Sequence, residues 1–445
     1  MTSPRIYLCS ATGALTTDAA PVGGGVAVLE ALIPQLEQAD FEITLLTPGH
    51  QDRRDGMRQT LAVPTLNAAN PEHILELNAR QYARFALEWE TALDRYFADV
   101  DPNGAVVLAN DSSEGPPFAA LHQRGFHQIA LLHLIVADFF TRRYLSEPSG
   151  LPVQARRLAS LWRLAERSGV ARHAPDIARL VWAKETELAQ YVDAPIVPSA
   201  PLARVISDCY PQTAVERRVQ IVPWGVVGSA QPSRRQHRRA VLRELNADVN
   251  RFTLLTLSRI SPEKRIELAL DALELIERES PVTAQQIQLI VAGAPAYMGG
   301  HAYSRRLQRH ARRLRAIPVH FVGYVADEAK WNLFAAADSF LSPSWYEAYG
   351  LTIAQALASG TPVIAAPHAG ARATIEPDCG WIAAPTPRAF AAAIRRAFHA
   401  HETRQLDRFR NAAAAWATQH PFADAAERII AIARRLSAET TGASP

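Results

Sequence analysis

Short apolar runs alternate with longer amphipathic stretches along the whole sequence, a pattern typical of parallel sheets with crossover helices. The candidate strands of the first half are Arg5–Ser10, Phe41–Thr47, Ala105–Ala109, Ile129–Leu134, Ala194–Pro198 and Val219–Val222. Those of the second half are Phe252–Leu257, Ile287–Ala292, Val319–Gly323, Ser339–Ser342, Pro362–Ala366 and Gly380–Ala383. The sequence therefore predicts an α/β protein with two doubly wound domains.

The two series of strands are separated by a segment that fits neither periodicity. It runs from Pro223 through the polar, basic stretch Gln231–Arg239. A chain of 445 residues is also too long for one ordinary core. We predict an N-terminal domain at residues 1–225, a C-terminal domain at residues 226–418, and a helix within residues 419–445 that packs back towards the N-terminal domain.

Composition excludes several classes of protein. Charged residues make up 20% of the chain and the net charge is only +3, so neither disorder nor general nucleic-acid binding is expected. No apolar run is long enough to span a membrane, and Arg5–Ser10 is too short for a secretory signal. The scattered cysteines Cys9, Cys209 and Cys379 indicate a reducing compartment. We expect a cytoplasmic protein.

The first predicted strand is followed by a loop that ends in glycines. Val22-Gly-Gly-Gly25 precedes the helical pattern Val26–Leu36, so Gly24 and Gly25 lie near a predicted helix start. Backbone amides at such a position can approach a phosphate closely. The spacing is not that of the dinucleotide-binding fingerprint, and a flexible turn explains the same residues equally well.

Two cations follow the predicted strand Phe252–Leu257. Arg259 and Lys264 stand at its carboxyl end, before a helix predicted to begin near Arg265. Lysine occurs only at 184, 264 and 330 among the 47 basic residues, which favours a specific role at 264. Two cations on one strand-to-helix loop can neutralise a leaving diphosphate. The alternative is a solvated basic loop.

The strand that ends at Ser342 leads into the most specific segment of the chain. A loop carrying Glu347 precedes a helix predicted from Thr352 to Ser359, and Gln355 lies in the first turns of that helix. Amides at a helix start have no partner within the helix and favour an anion. The amides concerned belong to Gly350, Leu351 and Thr352.

This segment resembles the retaining glycosyltransferases with two facing Rossmann-like domains, the GT-B architecture, and in particular family GT4. The family has a Glu, seven residues and a second Glu, with an aromatic-Gly pair after the first. Glu347 and Tyr349-Gly350 match, whereas Gln355 replaces the second Glu. The resemblance implies that Glu347 lies near the transferred sugar and that Gln355 lies at the ribose. Glutamine keeps one acceptor there but loses the charge-assisted bond.

Other positions of the family pattern are also recognisable. Arg259 and Lys264 match its diphosphate-binding pair, and Gly24 and Gly25 match its glycine-rich loop. His133 ends a run that resembles the family's strand with a His that donates to the sugar or the acceptor. A partly buried, satisfied histidine is the alternative. Asn110-Asp111 resembles a polar pair of the family, whereas Ser258 and the segment 368–373 depart from its pattern.

The resemblance implies a retaining transfer of a hexose-type sugar from a nucleotide diphosphate sugar to an acceptor hydroxyl. The departing diphosphate helps to deprotonate the acceptor, and neither a cofactor nor a metal is expected. The pair Asp99 and Asp101 precedes a predicted strand and therefore indicates a turn rather than a metal-binding motif. The alternatives are a non-catalytic sugar-nucleotide-binding protein and a nucleotide-sugar epimerase of similar shape.

The acceptor class stays open among sugars, lipids and natural products. One candidate surface is the stretch Leu151–Arg172, where Leu158, Leu161, Trp162 and Ala165 are assigned to one side and arginines elsewhere. Such a stretch can lie on an anionic membrane. The sequence favours an ordinary amphipathic helix whose arginines flank a buried stripe, so peripheral membrane contact is not the preferred interpretation.

Overall fold

The computed structural model describes residues 3–11, 23–66, 77–110, 112–140, 155–228, 237–296 and 300–440. They form two compact units. The first comprises Met1–Pro223 and Ala423–Pro445, and the second comprises Trp224–Phe422. Among the helices of the described residues, none combines the length and the apolar character needed to cross a bilayer.

The strands of the first unit are β1 Arg5–Cys9, β2 Glu42–Gly49, β3 Arg53–Asp55, β4 Arg58–Ala62, β5 Ala105–Ala109, β6 His127–Leu131, β7 Ala194–Val197 and β8 Gln220–Ile221. The strands of the second unit are β9 Phe252–Leu257, β10 Ile287–Ala292, β11 Val319–Gly323, β12 Ser339–Ser342, β13 Val363–Ala365 and β14 Gly380–Ile382.

The helices of the first unit are α1 Gly24–Gln38, α2 Ala79–Phe97, α3 Phe118–Gln123, α4 Val136–Phe140, α5 Ala155–Arg167, α6 Asp176–Tyr191 and α7 Ala200–Cys209. Those of the second are α8 Arg238–Glu244, α9 Ile266–Glu279, α10 Pro281–Ala284, α11 Gly300–Ala311, α12 Asp327–Ala336, α13 Leu351–Ala358, α14 Ala369–Thr374, α15 Pro387–Glu402 and α16 Leu406–Gln419. Helix α17, Phe422–Thr440, ends the described chain.

The described residues of each unit form one sheet, and the strand order explains where a ligand can bind. The sheet of the second unit has the order β11-β10-β9-β12-β13-β14 with parallel pairing throughout. Counted from β9, this is the doubly wound order 3-2-1-4-5-6. The sheet of the first unit has the order β3-β4-β2-β1-β5-β6-β7-β8, and among these described strands only the β3–β4 pair is antiparallel. The predicted α/β fold class is confirmed.

The cores follow from the composition of the central strands. Strand β9 is buried from Phe252 to Thr256, and β10 is buried throughout, because helices cover both faces of a parallel sheet. In the first unit, the aromatic rings of Phe97 and Trp89 are fully buried on α2 and belong to the core cluster of the sheet. The apolar runs of the sequence therefore become the centre of each sheet.

Helix α17 returns to the first unit. Ser437 Oγ donates to the carbonyl oxygen of Gly104 at 3.0 Å, and Arg434 donates to that of Ala39 at 3.0 Å. Both acceptors lie beside the starts of strands, Gly104 before β5 and Ala39 before β2. The carboxyl-terminal part of α17 therefore packs beside the amino ends of these strands.

Several predicted boundaries need correction. The predicted strand Ile129–Leu134 is β6, His127–Leu131, so His133 lies two residues beyond the strand rather than at its end. Gly24 and Gly25 already belong to α1 instead of to the preceding loop, and residues 12–22 of that loop lie outside the described residues. Asp99 and Asp101 lie in the turn before β5, as predicted.

Candidate active site at the switch point of the second unit

The topological switch point of the second sheet lies between β9 and β12, which are adjacent but whose outgoing connections lead to opposite sides. Ligands of doubly wound sheets bind beyond the carboxyl ends of the strands at this point. Lys264 follows β9 and Glu347 follows β12, so the fold brings these two predicted site residues together. Their proximity follows from strand order rather than from their separation in the sequence.

Lys264 and Glu347 form an ion pair. Lys264 Nζ lies 2.7 Å from Glu347 Oε1, and the two side chains are 13% and 18% exposed. A pair at this depth is screened much less than a surface pair. The ammonium group has three N–H donors, so Lys264 can keep Glu347 and still donate to another anion.

Glu347 is held in its charged form. The pKa of Glu347 lies below its ordinary value: burial acts to raise it, whereas the charge of Lys264 and hydrogen bonds from Lys264 and Ser344 lower it. The site therefore presents a fixed carboxylate beside a cation at neutral pH.

His368 is a member of this site that the sequence pattern did not identify. It follows β13, which pairs with β12, and it caps α14 by accepting the N–H of Ala371 on Nδ1 at 3.0 Å. Because Nδ1 accepts, the proton of the neutral ring is on Nε2, which lies 3.3 Å from Ser342 Oγ. The signal available in the sequence was its position directly after a strand.

Backbone bonds join the loops that carry the site. The N–H of Trp345 donates to the carbonyl of Glu263 at 2.9 Å, and the guanidinium of Arg265 lies 4.0 Å from the centre of the Trp345 ring. The N–H of Gly370 donates to the carbonyl of Glu347 at 2.9 Å. The loops after β9, β12 and β13 are therefore bonded to one another through the segment that bears Glu347.

The start of α13 lies directly after Glu347. Gly350 is its N-cap, with a left-handed φ of 81° and no side-chain cap. The first amide with an acceptor inside the helix is that of Ile353, which donates to Gly350 at 2.8 Å. The predicted anion-binding amides of Gly350, Leu351 and Thr352 precede it, at the positive end of the helix dipole.

Tyr349 and Gln355 contact the segment that opens the second unit. The N–H of Gly225 donates to the Tyr349 hydroxyl at 2.9 Å, and burial raises the pKa of that hydroxyl to about 12. Gln355 is buried and its amide nitrogen donates to the carbonyl of Val227 at 3.0 Å. A glutamate carboxylate has no proton for this bond, which gives a physical reason for glutamine at 355.

Arg259 lies on the same connection as Lys264, before the short 3-10 turn Pro262–Lys264. It is partly exposed. The connection is held to the neighbouring loop after β10, because the N–H of Ile260 donates to the carbonyl of Ala294 at 2.8 Å. Arg259 is thus at the carboxyl edge of β9, where the sequence placed it, and its role in binding stays a prediction.

The remaining predicted residues lie in the first unit, at its own switch point between β1 and β5. Asn110 follows β5, and its amide nitrogen donates to the carbonyl of Gly25 at 3.2 Å. Its oxygen therefore faces His133 Nε2 at 3.0 Å, so that this nitrogen carries the ring proton. Burial lowers the pKa of His133 to about 4. His133 is thus neutral at neutral pH, and its proton is bonded to Asn110.

The hydrogen bond to Asn110 and the lowered pKa both oppose the predicted role of His133 as a donor. Donation to a sugar or acceptor hydroxyl from Nε2 would require the bond to Asn110 to break, and a second ring proton is disfavoured by burial. Gly24 begins the same helix as Gly25 but has no side chain to contribute. Asp111, the second member of the predicted polar pair, lies outside the described residues.

One cluster within the described part of the chain has metal-ligating atoms close together. It consists of Asp271 and Glu274 on α9 and His310 on α11, with all three ligand atoms within 4.8 Å of one another. His310 Nε2 lies 3.2 Å from Glu274 and 3.6 Å from Asp271, and both carboxylate side chains are exposed, at 55% and 44%. The cluster lies within helices rather than among the residues that directly follow the strands.

The second unit has the arrangement of a nucleotide-binding domain. Its parallel sheet has the order 3-2-1-4-5-6, and a cation–carboxylate pair and helix-start amides lie at the switch point. The family model described as "Glycosyl transferases group 1" matches residues 238–416. This segment of the chain is therefore a glycosyl transferases group 1 domain, as the sequence predicted for it.

Relatives and solved structures agree with this assignment. The chain is 35% identical over 179 residues to the alpha-monoglucosyldiacylglycerol synthase of Streptococcus pneumoniae, covering 39% of this chain and 37% of that protein. It is 32% identical over 215 residues to the D-inositol 3-phosphate glycosyltransferase of Geodermatophilus obscurus, covering 47% of this chain and 46% of that protein. These matches thus span less than half of either relative.

The fold is matched over nearly the whole chain. The sucrose-phosphate synthase of Thermosynechococcus elongatus superposes with a TM-score of 0.69 over 98% of this chain and 99% of that chain, at 20% sequence identity. Both units therefore have counterparts in a protein of the GT-B architecture, and the predicted GT-B fold class is confirmed.

Proposed function

We propose that this protein is a retaining glycosyltransferase that moves a hexose-type sugar from a nucleotide diphosphate sugar to an acceptor hydroxyl. The observation that carries the proposal is the Lys264–Glu347 pair at the switch point of the second unit, beside the start of α13. The second unit would bind the donor, and the first unit would bind the acceptor.

In the proposed reaction the bond from the sugar to the diphosphate breaks, and negative charge develops on the departing oxygen. Lys264, Arg259 and the amides at the start of α13 would stabilise this charge, which is where a transferase gains most from fixed dipoles and cations. The leaving diphosphate would take the proton of the acceptor hydroxyl on the same face of the sugar. The carboxylate of Glu347 would lie near the sugar, and the Gln355 oxygen would accept a ribose hydroxyl.

Because the cations belong to the chain itself, we expect transfer to proceed without a divalent metal. Activity should be unchanged after dialysis against EDTA. The metal-independent proposal is wrong if EDTA abolishes transfer and added Mg²⁺ or Mn²⁺ restores it.

The donor is tested first, because its predicted site is better defined than that of the acceptor. A thermal-shift screen with UDP-, GDP- and ADP-sugars should give a rise in Tm for one nucleotide class. Release of the nucleoside diphosphate is then measured with sugar, inositol phosphate and diacylglycerol-type acceptors, which the names of the relatives suggest. The anomeric configuration of the product, read by NMR, tests retention.

The two alternatives give different results in the same assays. If the protein only binds sugar nucleotides, they would raise its Tm, but no diphosphate would be released with any acceptor, not even by slow hydrolysis. An epimerase would alter the sugar of the donor without forming a new glycosidic bond. We expect instead a glycoside and a free nucleoside diphosphate in equal amounts.

The contact between Gln355 and Val227 makes a separate prediction about stability. Gln355→Glu removes the amide donor and places a buried charge against a carbonyl oxygen, so the free energy of unfolding at pH 7 should fall by about 1–3 kcal/mol. Burial raises the pKa of the introduced carboxyl in the folded state. The loss should therefore shrink as pH falls through that raised pKa, since the protonated form can donate to Val227 again.

Denaturant unfolding of Gln355→Glu at pH 7 and pH 5 measures this effect. Gln355→Met is the matched control, because it removes the hydrogen bond without adding a charge and its loss should not depend on pH in this range. Equal losses for Gln355→Glu at both pH values would contradict the assignment of the Gln355 amide as the donor to Val227.

A further inference from the structure

Helix α5 does not bury the apolar side that its sequence suggests. Trp162 faces the unit and stacks on Trp182 of α6 at 5.5 Å, and Ala159 is fully buried. Leu161, which the pattern groups with Trp162, is 63% exposed, and so is Leu164. The prediction of an ordinary helix with its leucines buried is therefore wrong for Leu161.

The exposed leucines lie in a basic setting. Arg157, Leu161 and Leu164 follow one another at spacings of four and three residues, so they share one face of α5. Arg167, three residues after Leu164, borders this surface at the end of the helix and is exposed. We call Arg157, Leu161, Leu164 and Arg167 the α5 face.

The segment that contains α5 is basic. Residues 155–173 contain five arginines and one acidic residue, Glu166. Glu166 is exposed and accepts the indole N–H of Trp162 at 2.7 Å, so it lies on the side of the helix that carries Trp162 rather than on that of Leu161 and Leu164. Arg163 donates to the carbonyl of Cys209 and is turned towards the unit. The outward surface is thus apolar at its centre and cationic around it.

We propose that the α5 face binds the surface of a bilayer that contains anionic phospholipids. Exposed aliphatic side chains among arginines are the pattern of a helix that lies in the membrane interface, with the leucines among the acyl chains and the guanidinium groups at the phosphates. Self-association through the same face would place arginines against arginines in a two-fold contact, which disfavours a second copy as the occupant.

The proposal concerns a surface of the first unit and does not depend on the transfer reaction. The full chain is mixed with vesicles of phosphatidylcholine alone or of phosphatidylcholine with phosphatidylglycerol, and bound protein is measured by flotation. We expect at least a tenfold preference for the anionic vesicles, and this preference should weaken as salt rises.

Two variants separate the apolar and the ionic contributions. Leu161→Ser with Leu164→Ser should remove binding to the anionic vesicles. Arg157→Gln with Arg167→Gln should weaken it by about 25-fold, at about fivefold for each charge. The matched control for the leucines is Leu87→Ser with Val282→Ser, which removes exposed apolar residues elsewhere. The matched control for the arginines is Arg309→Gln with Arg312→Gln, which removes exposed arginines of the second unit.

Circular dichroism and Tm show whether each variant is folded, which we expect because all the altered residues are exposed. The proposal is overturned if the wild-type chain floats with neither vesicle, or if the controls lose binding as strongly as the α5 variants. It is also overturned if Leu161→Ser with Leu164→Ser converts a dimer to a monomer by light scattering without changing flotation.

Discussion

Replacing Lys264 by alanine is expected to lower the rate of sugar transfer by about 10²–10³-fold, the loss typical of removing one group that stabilises charge in the transition state. Lys264 lies after β9 and contacts Glu347 at 2.7 Å, so the change removes a cation from the point where a diphosphate would depart. Initial rates at saturating donor and acceptor measure the effect, and kcat should fall more than KM rises.

The ion pair requires a control, since Lys264→Ala leaves the Glu347 carboxylate without its closest cation. The double variant Lys264→Ala with Glu347→Gln removes both charges, and it is compared with Glu347→Gln alone. If Lys264 acts on the diphosphate, the double variant stays far less active than Glu347→Gln. If Lys264 serves only as the counterion of Glu347, the two variants have equal rates, and our assignment is wrong.

Lys330→Ala supplies the matched replacement of a lysine elsewhere in the second unit. Lys330 lies on α12 and its ammonium group is 6.0 Å from the centre of the Trp331 ring. Its loss should leave the transfer rate within about twofold, because α12 carries none of the predicted site residues. A large loss in this variant would show that the assay reports stability rather than chemistry at the site.

The central strands were predictable because they are continuous apolar runs. The predicted Phe252–Leu257, Ile287–Ala292 and Ser339–Ser342 coincide with β9, β10 and β12. The edge strand β3 and its neighbour β4 were missed. Arg53–Asp55 is polar and exposed, and within the described sheet it pairs with β4 alone. A strand without an apolar face carries no periodicity to detect.

The sequence predicted which site residues come after strands, but not which of them are in contact. The sequence placed Lys264 and Glu347 at strand ends, but their ion pair depends on β9 and β12 being neighbours, which is a property of the strand order. The bond from Gln355 to Val227 spans 128 residues and has no local signal. Likewise, only the fold shows that Leu161 faces outward, since its sequence spacing fits either side of α5.

The second large effect is expected from Gly370→Ala, at a position that makes no contact through a side chain. An added Cβ would lie 2.3 Å from the carbonyl oxygen of Tyr349 and 2.9 Å from the amide nitrogen of Gly350. These are backbone atoms of the loop between Glu347 and α13, so the loop must move as a whole. A displacement of about 1 Å in a group that positions a substrate can lower turnover by about 100-fold.

The close approach is maintained by the bond from the Gly370 N–H to the Glu347 carbonyl, so the loop cannot relax without weakening that bond as well. The variant should therefore lose both donor affinity, measured by calorimetry, and about 1–3 kcal/mol of unfolding free energy. Ala373→Ser, on the exposed side of the same short helix, adds one atom without meeting the loop and should change neither quantity. Wild-type turnover in Gly370→Ala would contradict the view that the Glu347 loop has to be held at its present position for transfer.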